Sequence, residues 1–477
     1  MKITLDKAFF AVALLLAPLL WANSADAQGL YPVGLSRNVF SRPEVSVWQN
    51  DFSGRVRFAA FPKTQNEGVW IAAGDLGHDG IEELVVGAGA GNKPEVRIFD
   101  ASGNKILSFL AYPADFRGGV RVAIGDVDGD GNREIIVAPG EGYKPVIRFF
   151  DGMGKPKLKE FLAYDAAFLG GISVRSADID GDGKAEVLTA PDAGLEPRIK
   201  IWDGVALKVK SEFLAFDAAR HDGVTFDVLN THEGYRIAVS PASWSPSFVR
   251  VFDAADPSRQ TAEFEGFASS SRNGLMVSAL DEDGDGYDEI ALSQNGSAAP
   301  ELRIYDVAGA LLGKYMAYDP TFRGAITATS LKTRDGNRIA TAPVFPTVIG
   351  PTDRETLIDV NLTQQRLFAY DHGRLARSFL ISSGVSRHPT PIMETSVQEK
   401  IPMMDYRGYY GPNNPDNYFI KNVKNNLRIR GAILIHYAFW HHNFGHPMSH
   451  GCINVGNADS DWIYAWAQVG TPVSVHR

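Results

Sequence analysis

The sequence predicts a mainly β protein, in which a six-bladed β-propeller is followed by a second, mostly β domain. Three observations predict it. A segment of about 50 residues recurs six times over residues 40–345. Each copy contains short stretches of alternating apolar and polar residues, which is typical of strands. After residue 345 the repeat stops and a different pattern begins, as the 477-residue length allows.

Each repeat carries three signatures in fixed order. The first is an apolar strand after a proline, and the second is an aromatic strand end such as FLAY at Phe109. The third is a turn-rich segment such as GDVDGDG at Gly125, with degenerate versions near Asp227 and Thr333. The proline strands lie at residues 43–48, 94–100, 145–151, 197–203, 246–253 and 300–306. Four short strands per repeat of this length form one propeller blade.

The phase of the repeat predicts how the ring closes. The array opens with the proline-strand half of a repeat at residues 43–61 and ends with the other half at about residues 324–343. Pairing the two halves would complete a sixth blade and leave no free strand edge.

Three turn segments have the spacing of a cation-binding loop. Acidic side chains occupy positions one, three, five and nine, and glycine at position six permits a sharp turn. We expect calcium in these loops, although Asp-Gly turns that only solvate their charge remain the alternative. A fourth loop, at Asp75, Asp79 and Glu83, has glycine at position three, which makes binding there doubtful. The expected ligands are Asp126, Asp128, Asp130, Glu134, Asp178, Asp180, Asp182, Glu186, Asp281, Asp283, Asp285 and Glu289.

These loops and their period resemble the FG-GAP repeats of integrin-type β-propellers over roughly 300 residues. A WD40-like propeller is the alternative, suggested by the single Trp202-Asp203 dipeptide.

The N-terminus, residues 1–27, is predicted to be a secretory signal peptide. Lys2 and Lys7 precede a mostly apolar run at residues 9–22, and Ala25-Asp26-Ala27 fits a cleavage site. A membrane anchor is the alternative, but the run is short for a span of about 20 residues. We therefore expect an exported protein of the periplasm or cell wall, with no transmembrane segment after cleavage. The net charge of −9 argues against a nucleic-acid partner.

Residues 346–354 are predicted to be a linker, and residues 355–477 a separate, mostly β domain. Strand-like stretches begin at Thr356, with a turn at Asp371-His372-Gly373. The domain holds the only cysteine of the sequence, Cys452, which excludes an internal disulfide.

The stretch Ser449-His450-Gly451-Cys452 has the composition of a nucleophilic turn, and His436 precedes it by 16 residues. Thiolate chemistry needs a cysteine of lowered pKa, a base, and N–H donors for an oxyanion. His436 is the candidate base, and the fold must bring it to Cys452.

A histidine followed by S-H-G-C-x-N resembles the YkuD-type L,D-transpeptidase catalytic domain, as do Ser383-Gly384 and Thr390-Pro391; Ile392-Met393 departs from the family pattern. The resemblance implies that Cys452 attacks a tetrapeptide stem of peptidoglycan and expels the terminal D-alanine. It also implies that His436 acts as base and then acid, held by the carbonyl of Tyr437. Gly451 and Cys452 would supply the oxyanion amides.

The same resemblance implies roles for the neighbours of the site. His450 and Ser449 would shape the loop, Asn454 would brace it, and a lid would lie at residues 409–418, with Tyr418 touching substrate. A wall polymer or envelope protein is the expected partner of the propeller.

Three alternatives remain at this point. The same site would act as an L,D-carboxypeptidase if water were the acceptor. An inactive catalytic domain would leave a calcium-dependent adhesion or binding protein. Zinc bound by His441, His442, His446, His450 and Cys452 is a third possibility, although the spacing fits no standard pattern.

Overall fold

The computed structural model describes residues 44–62, 68–243, 247–268, 274–295, 299–320, 322, 324–344, 356–371, 374–412, 414 and 417–476. The predicted signal peptide (1–27) and linker (346–354) lie outside the described residues. Within them, no helix has the length and apolar character needed to cross a bilayer.

Six four-stranded antiparallel sheets form the blades of a propeller in the described residues. Blade 1 contains β1 (Glu44–Gln49), β2 (Arg55–Ala59), β23 (Ala325–Thr333) and β24 (Gly336–Val344). Blade 2 contains β3 (Val69–Gly74), β4 (Glu83–Ala88), β5 (Glu95–Phe99) and β6 (Lys105–Leu110). Blade 3 contains β7 (Val120–Gly125), β8 (Glu134–Pro139), β9 (Val146–Phe150) and β10 (Phe161–Leu162).

The other three blades repeat this order. Blade 4 contains β11 (Ile172–Ala177), β12 (Glu186–Pro191), β13 (Arg198–Asp203) and β14 (Lys208–Leu214). Blade 5 contains β15 (Val224–Thr231), β16 (Gly234–Pro241), β17 (Phe248–Asp253) and β18 (Gln260–Glu265). Blade 6 contains β19 (Leu275–Leu280), β20 (Glu289–Gln294), β21 (Glu301–Tyr305) and β22 (Leu311–Met316).

The burial of the strands follows their place in the blade. β8 and β12 are buried on both faces because other blades cover them, which explains their continuous apolar sequences. β6 and β14 are outermost and alternate between exposed and half-buried residues. The apolar core lies between blades: Ile98 of blade 2 packs in one cluster with Val122 and Ile135 of blade 3.

The ring closes in blade 1 as the phase of the repeat predicts. β1 pairs with β24 over four residue pairs, from Ser46 opposite Thr341 to Gln49 opposite Arg338. The innermost strands contact one another around the ring, and β23 of blade 1 contacts β3 of blade 2. Every blade therefore contacts a neighbouring blade on both sides.

The second domain is built on one nine-stranded sheet, in the order β28-β33-β25-β26-β27-β32-β31-β30-β29. β25–β33 and β31–β32 are parallel pairs, and the other neighbours are antiparallel. One helix, α1 (Asn457–Trp466), follows β32. The strands are β25 (Thr356–Asn361), β26 (Arg366–Asp371), β27 (Arg374–Ser382), β28 (Met393–Ser396), β29 (Glu399–Gly408), β30 (Tyr418–Arg430), β31 (Ile433–Tyr437), β32 (Ile453–Val455) and β33 (Pro472–His476).

The second domain packs on blades 3 and 4. Ala193, which follows β12, lies in one apolar cluster with Leu357, Phe368 and Tyr370. Glu141, which follows β8, contacts Ser378 and Arg366. This junction lies at β25–β27, on the opposite side of β32 from the strand that carries His436.

Candidate active site

Two short parallel strands, β31 and β32, position the predicted nucleophile and base. Their register places Ile435 opposite Ile453, and both side chains are fully buried in the core. His436 lies opposite Asn454. Cys452 directly precedes β32, and Tyr406, whose ring packs against that of His436, is within electrostatic range of Cys452.

The imidazole of His436 is held in one orientation. Its ring is buried, with 2% of the residue exposed, and Nδ1 lies 2.9 Å from the carbonyl oxygen of Tyr437. A carbonyl only accepts hydrogen bonds, so Nδ1 carries the proton and Nε2 keeps its lone pair. Burial lowers the pKa of His436 to about 4, and the ring is therefore neutral at physiological pH.

The thiol of Cys452 is neutral as well. Its Sγ lies 3.4 Å from the carbonyl oxygen of Ala432, and part of the residue remains accessible. Burial raises the pKa of Cys452 to about 11, against the opposing effects of the Leu434 amide and the Arg428 charge. The sequence led us to expect a lowered pKa. That expectation fails because desolvation outweighs both groups that favour the thiolate.

The turn before β32 is closed by Ser449. Its hydroxyl donates to the carbonyl of Cys452 at 2.5 Å and accepts from the Gly451 amide at 3.1 Å. Gly451 has φ +114°, a conformation that other residues rarely adopt. The Gly451 amide was expected to serve the oxyanion; it is instead engaged by Ser449, because the tight turn brings that hydroxyl back onto it.

Two further residues brace this turn, and the sequence assigned them no role. The Thr390 hydroxyl donates to the carbonyl of Gly451 at 2.9 Å and accepts from the Gly384 amide at 2.8 Å. Ser383 accepts from the Ser449 amide at 3.0 Å through its carbonyl. The family pattern already contained Ser383-Gly384 and Thr390-Pro391, which was the available signal.

Gln365 in turn holds Ser383, and no motif indicated it. Its side-chain oxygen accepts from the Ser383 amide at 2.9 Å, and its nitrogen donates to the Ser383 hydroxyl at 2.7 Å. Gln365 is 5% exposed and has φ +48°, a backbone conformation that side-chain-bearing residues rarely adopt. A chain of hydrogen bonds therefore runs from Gln365 through Ser383 to Ser449 and Cys452.

Aromatic rings line one side of the site. The ring of His450 lies 4.9 Å from Tyr418, 5.8 Å from Tyr410 and 4.8 Å from His388. Burial raises the pKa of Tyr418, and proximity to Cys452 raises it further. Tyr418 thus lies within electrostatic range of the sulfur. The lid predicted at residues 409–418 falls on the connection between β29 and β30, of which residues 413, 415 and 416 lie outside the described residues.

A second group of side chains surrounds His436. The ring of Tyr406 lies 4.6 Å away, and its hydroxyl donates to Asn426 at 2.8 Å. The carboxamide of Asn454 lies 3.0 Å from Nε2 of His441. Neither Tyr406 nor Asn426 was predicted, because nothing in the alternation of β29 and β30 distinguishes them.

The zinc alternative receives no support from this geometry. Within the described part of the chain, ligand atoms of three or more acidic, histidine or cysteine residues converge only in three propeller loops. Those groups are Asp126, Asp128 and Glu134; Asp178, Asp180 and Glu186; and Asp281, Asp283 and Asp285.

The aspartate loops share one backbone scaffold. The first aspartate accepts from the amide of the glycine five residues later, at 2.8 Å for Asp126, 3.0 Å for Asp178 and 3.1 Å for Asp281. The last glutamate accepts from the amide after that aspartate, at 2.9 Å for Glu289. The doubtful loop has the same scaffold, with Gly80 donating to Asp75 at 2.9 Å. The scaffold therefore forms whether or not all ligand positions are acidic.

The Asp281 loop suits a hard cation by its donor set. Its converging groups are all carboxylates, the ligands that calcium prefers. Burial, together with the neighbouring Asp283 and Asp281 carboxylates, raises the pKa of Glu289 to about 7, against the opposing effect of the Glu282 amide. These carboxylates repel one another, and a divalent cation would relieve that repulsion.

Comparison with known proteins finds a match to a family model within each part of the chain. Residues 355–475 match the L,D-transpeptidase catalytic domain family (YkuD), and residues 126–189 match the FG-GAP-like repeat family. A search of curated proteins found no match.

Solved structures of L,D-transpeptidases are similar to parts of the chain. A cysteine-to-serine mutant from Enterococcus faecium is 27% identical, over 26% of this chain and 50% of that one, with a TM-score of 0.24. The chain thus spans half the length of that relative. The catalytic domain of E. faecium L,D-transpeptidase, solved by NMR, is 28% identical over 26% of this chain and 100% of that one, with a TM-score of 0.23. A Mycobacterium smegmatis L,D-transpeptidase is 18% identical over 38% of this chain and 93% of that one, with a TM-score of 0.25.

Residues 355–475 are therefore an L,D-transpeptidase catalytic domain of the YkuD family, joined to a propeller that contains an FG-GAP-like repeat.

Proposed function

We propose that this protein is an exported peptidoglycan L,D-transpeptidase that works through a thioester on Cys452. The observation that carries the proposal is the position of Cys452 directly before β32 and of His436 on the neighbouring strand β31, with Tyr406 in range of both. Nδ1 of His436 is hydrogen-bonded to the carbonyl of Tyr437. This arrangement reserves Nε2 for proton transfer. Peptidoglycan lies outside the cytoplasmic membrane, which agrees with the signal peptide predicted at residues 1–27.

In the first half-reaction, the Cys452 sulfur attacks the carbonyl carbon of the third residue of a tetrapeptide stem. A C–S bond forms, the C–N bond to the terminal D-alanine breaks, and the thiol proton moves to Nε2 of His436. His436 then gives that proton to the departing amine. The amide of Cys452 donates a hydrogen bond to the developing oxyanion, because the Gly451 amide already donates to Ser449.

In the second half-reaction, an amine of another stem attacks the thioester. The C–S bond breaks, a new amide bond forms, and a proton returns to the sulfur by way of His436. Tyr418 and His450 form a wall on the substrate side, and we propose that the stem lies against it. If water takes the place of the amine, the same steps trim the stem and form no cross-link.

Covalent labelling with a carbapenem tests the nucleophile. Purified full chain is treated with the drug, digested, and analysed by mass spectrometry for an adduct on Cys452. We expect the adduct in the wild type and in His442→Gln, which changes an exposed histidine of the same loop. Cys452→Ser should take up no drug. A folded wild-type protein that acquires no mass on Cys452 would refute the proposal.

The acceptor is tested with a disaccharide tetrapeptide as substrate. Transpeptidation predicts a dimer that has lost one D-alanine, whereas trimming predicts a tripeptide monomer. Release of D-alanine without any dimer would show that water is the acceptor, and would contradict the cross-linking part of the proposal.

We also propose that the propeller binds a wall polymer or an envelope protein, and that calcium occupies its aspartate loop at Asp281. The Asp281 loop has the strongest support, since its carboxylates converge and their repulsion calls for a cation. Calorimetry of full chain with calcium, before and after Asp283→Asn, tests this site. The variant should bind one calcium ion fewer, and equal stoichiometry would contradict the assignment.

A further inference from the structure

The outer strands of several blades carry one extra residue at the same place. In blade 4, Trp202 pairs with Val209 and Ile201 pairs with Ser211, so Lys210 is the additional residue of a β-bulge. In blade 3, Phe150 bridges Pro156, and Lys157 follows it. Lys157 and Lys210 therefore occupy equivalent positions in neighbouring blades.

Lys157 reaches into the aspartate loop of its own blade. Its Nζ lies 2.6 Å from Oε1 of Glu134, 2.8 Å from Oδ2 of Asp130 and 3.3 Å from Oδ2 of Asp128. These are three of the four carboxylates that the spacing of this loop assigns to a cation. The ammonium group of Lys157 therefore lies between these three carboxylates.

Lys210 makes the same approach in blade 4. Its Nζ lies 2.7 Å from Oε1 of Glu186 and 2.5 Å from Oδ2 of Asp180. In both blades the closing glutamate is deeply buried, with Glu134 0% and Glu186 4% exposed. A buried carboxylate needs a positive partner or a metal, and here each glutamate has an ammonium group.

Blade 6 differs at this position. Tyr305 pairs with Leu311 and Ile304 pairs with Gly313, so Leu312 is the residue at the bulge. Leu312 carries no charge and is 54% exposed. Among the ion pairs of the described residues, no lysine or arginine contacts the carboxylates of the Asp281 loop.

We propose that in blades 3 and 4 Lys157 and Lys210 take the place of a metal ion, so that the Asp126 and Asp178 loops bind no calcium. In each loop a lysine ammonium group provides the positive charge that a metal ion would otherwise provide. An ammonium group and a calcium ion cannot share the same carboxylate oxygens, because both would need the centre of the loop. This conclusion departs from the expectation that all three full loops take calcium. Calcium dependence of the propeller would then be confined to blade 6.

Chemical labelling of the wild-type full chain tests this without any mutation. Lysines are reductively methylated with formaldehyde in the presence of a chelator or of millimolar calcium, and the extent at each site is measured by mass spectrometry. Lys155 and Lys208 are matched controls, since they lie two residues before Lys157 and Lys210 respectively and are exposed. We expect calcium to leave the labelling of Lys157 and Lys210 unchanged relative to these controls. If calcium makes either lysine label faster, the metal has displaced it and the proposal is wrong.

Substitution of the lysines gives the reciprocal test. Lys157→Met and Lys210→Met should each bind one more calcium ion than the wild type by calorimetry, and their melting temperatures should become more sensitive to a chelator. Lys155→Met and Lys208→Met remove the same charge and should keep the wild-type stoichiometry. Folded Lys157→Met and Lys210→Met proteins with unchanged calcium stoichiometry would overturn the proposal. If either variant folds only with calcium, that requirement supports it; if either fails to fold at all, the wild-type labelling decides.

Discussion

The protonation state of the resting active site gives a quantitative prediction. Burial raises the pKa of Cys452 from an ordinary value of 9.0 to about 11 and lowers that of His436 to about 4. At pH 7 about one thiol in ten thousand is then ionised, against about one in a hundred for an unshifted cysteine. The gap of about seven pKa units corresponds to roughly 10 kcal/mol for moving the proton from sulfur to imidazole, before the attraction between the two charges is counted.

Proton transfer should therefore accompany the attack on substrate and not precede it. The assay is alkylation of the wild-type thiol by iodoacetamide, which reacts with the thiolate, followed by mass spectrometry from pH 6 to pH 10. We expect the rate to rise about tenfold per pH unit over this whole range, since thiolate increases in that proportion below the pKa. Limited access to the site lowers every rate alike, so the slope does not depend on it.

A His436→Gln variant separates the two mechanisms. If the imidazole is neutral at rest, alkylation should keep its rate and slope, while carbapenem acylation should fall about 10²- to 10⁴-fold with the loss of the base. A preformed thiolate–imidazolium pair predicts the opposite. The wild-type alkylation rate would then be independent of pH below pH 8, and the His436→Gln variant would show no such plateau. A plateau of that kind would refute this reasoning.

Three further predictions concern the turn and the loops. Thr390→Val removes the hydroxyl between Gly384 and Gly451; it should destabilise the protein by about 1–3 kcal/mol in urea unfolding and slow acylation, whereas Thr390→Ser should retain both properties. Gly451→Ala places a Cβ at φ +114° and should cost about 1–3 kcal/mol in the same assay; an unchanged midpoint would show that the turn relaxes freely. Leu312→Lys supplies a bulge lysine in blade 6 and should remove one calcium ion from the calorimetric stoichiometry, whereas Leu312→Met should not.

The propeller was predictable because the same strand pattern recurs along the sequence at a fixed interval. Six copies of a strand pattern fix the number of blades, and the half-repeats at residues 43–61 and 324–343 fix the closure, which the pairing of β1 with β24 confirms. The catalytic domain was predictable for another reason: Ser449 to Cys452 form a short contiguous motif, and residues 355–475 match its family. A repeat and a contiguous motif can both be recognised in the sequence without knowledge of contacts between distant residues.

The remaining features depend on contacts that sequence spacing does not encode. Lys157 is 23 residues from Glu134, and the bridge between Phe150 and Pro156 places it beside that carboxylate only in the folded blade. Gln365 is 84 residues before Ser449, and Ser383 joins them only in the folded sheet. The raised pKa of Cys452 likewise comes from burial by neighbouring strands. The motif predicts a nucleophile but does not report how much water surrounds it.

The shared blade also determines how the molecule would respond to tension. The chain enters the ring at Glu44 and leaves it after Val344, and the antiparallel register puts these two ends at the same end of the β1–β24 ladder. A force between an N-terminal attachment and the catalytic domain would therefore load the hydrogen bonds of this ladder one at a time, as in a zipper, and not all together in shear. Blade 1 would open first, and its separated strands would expose new edges to other chains.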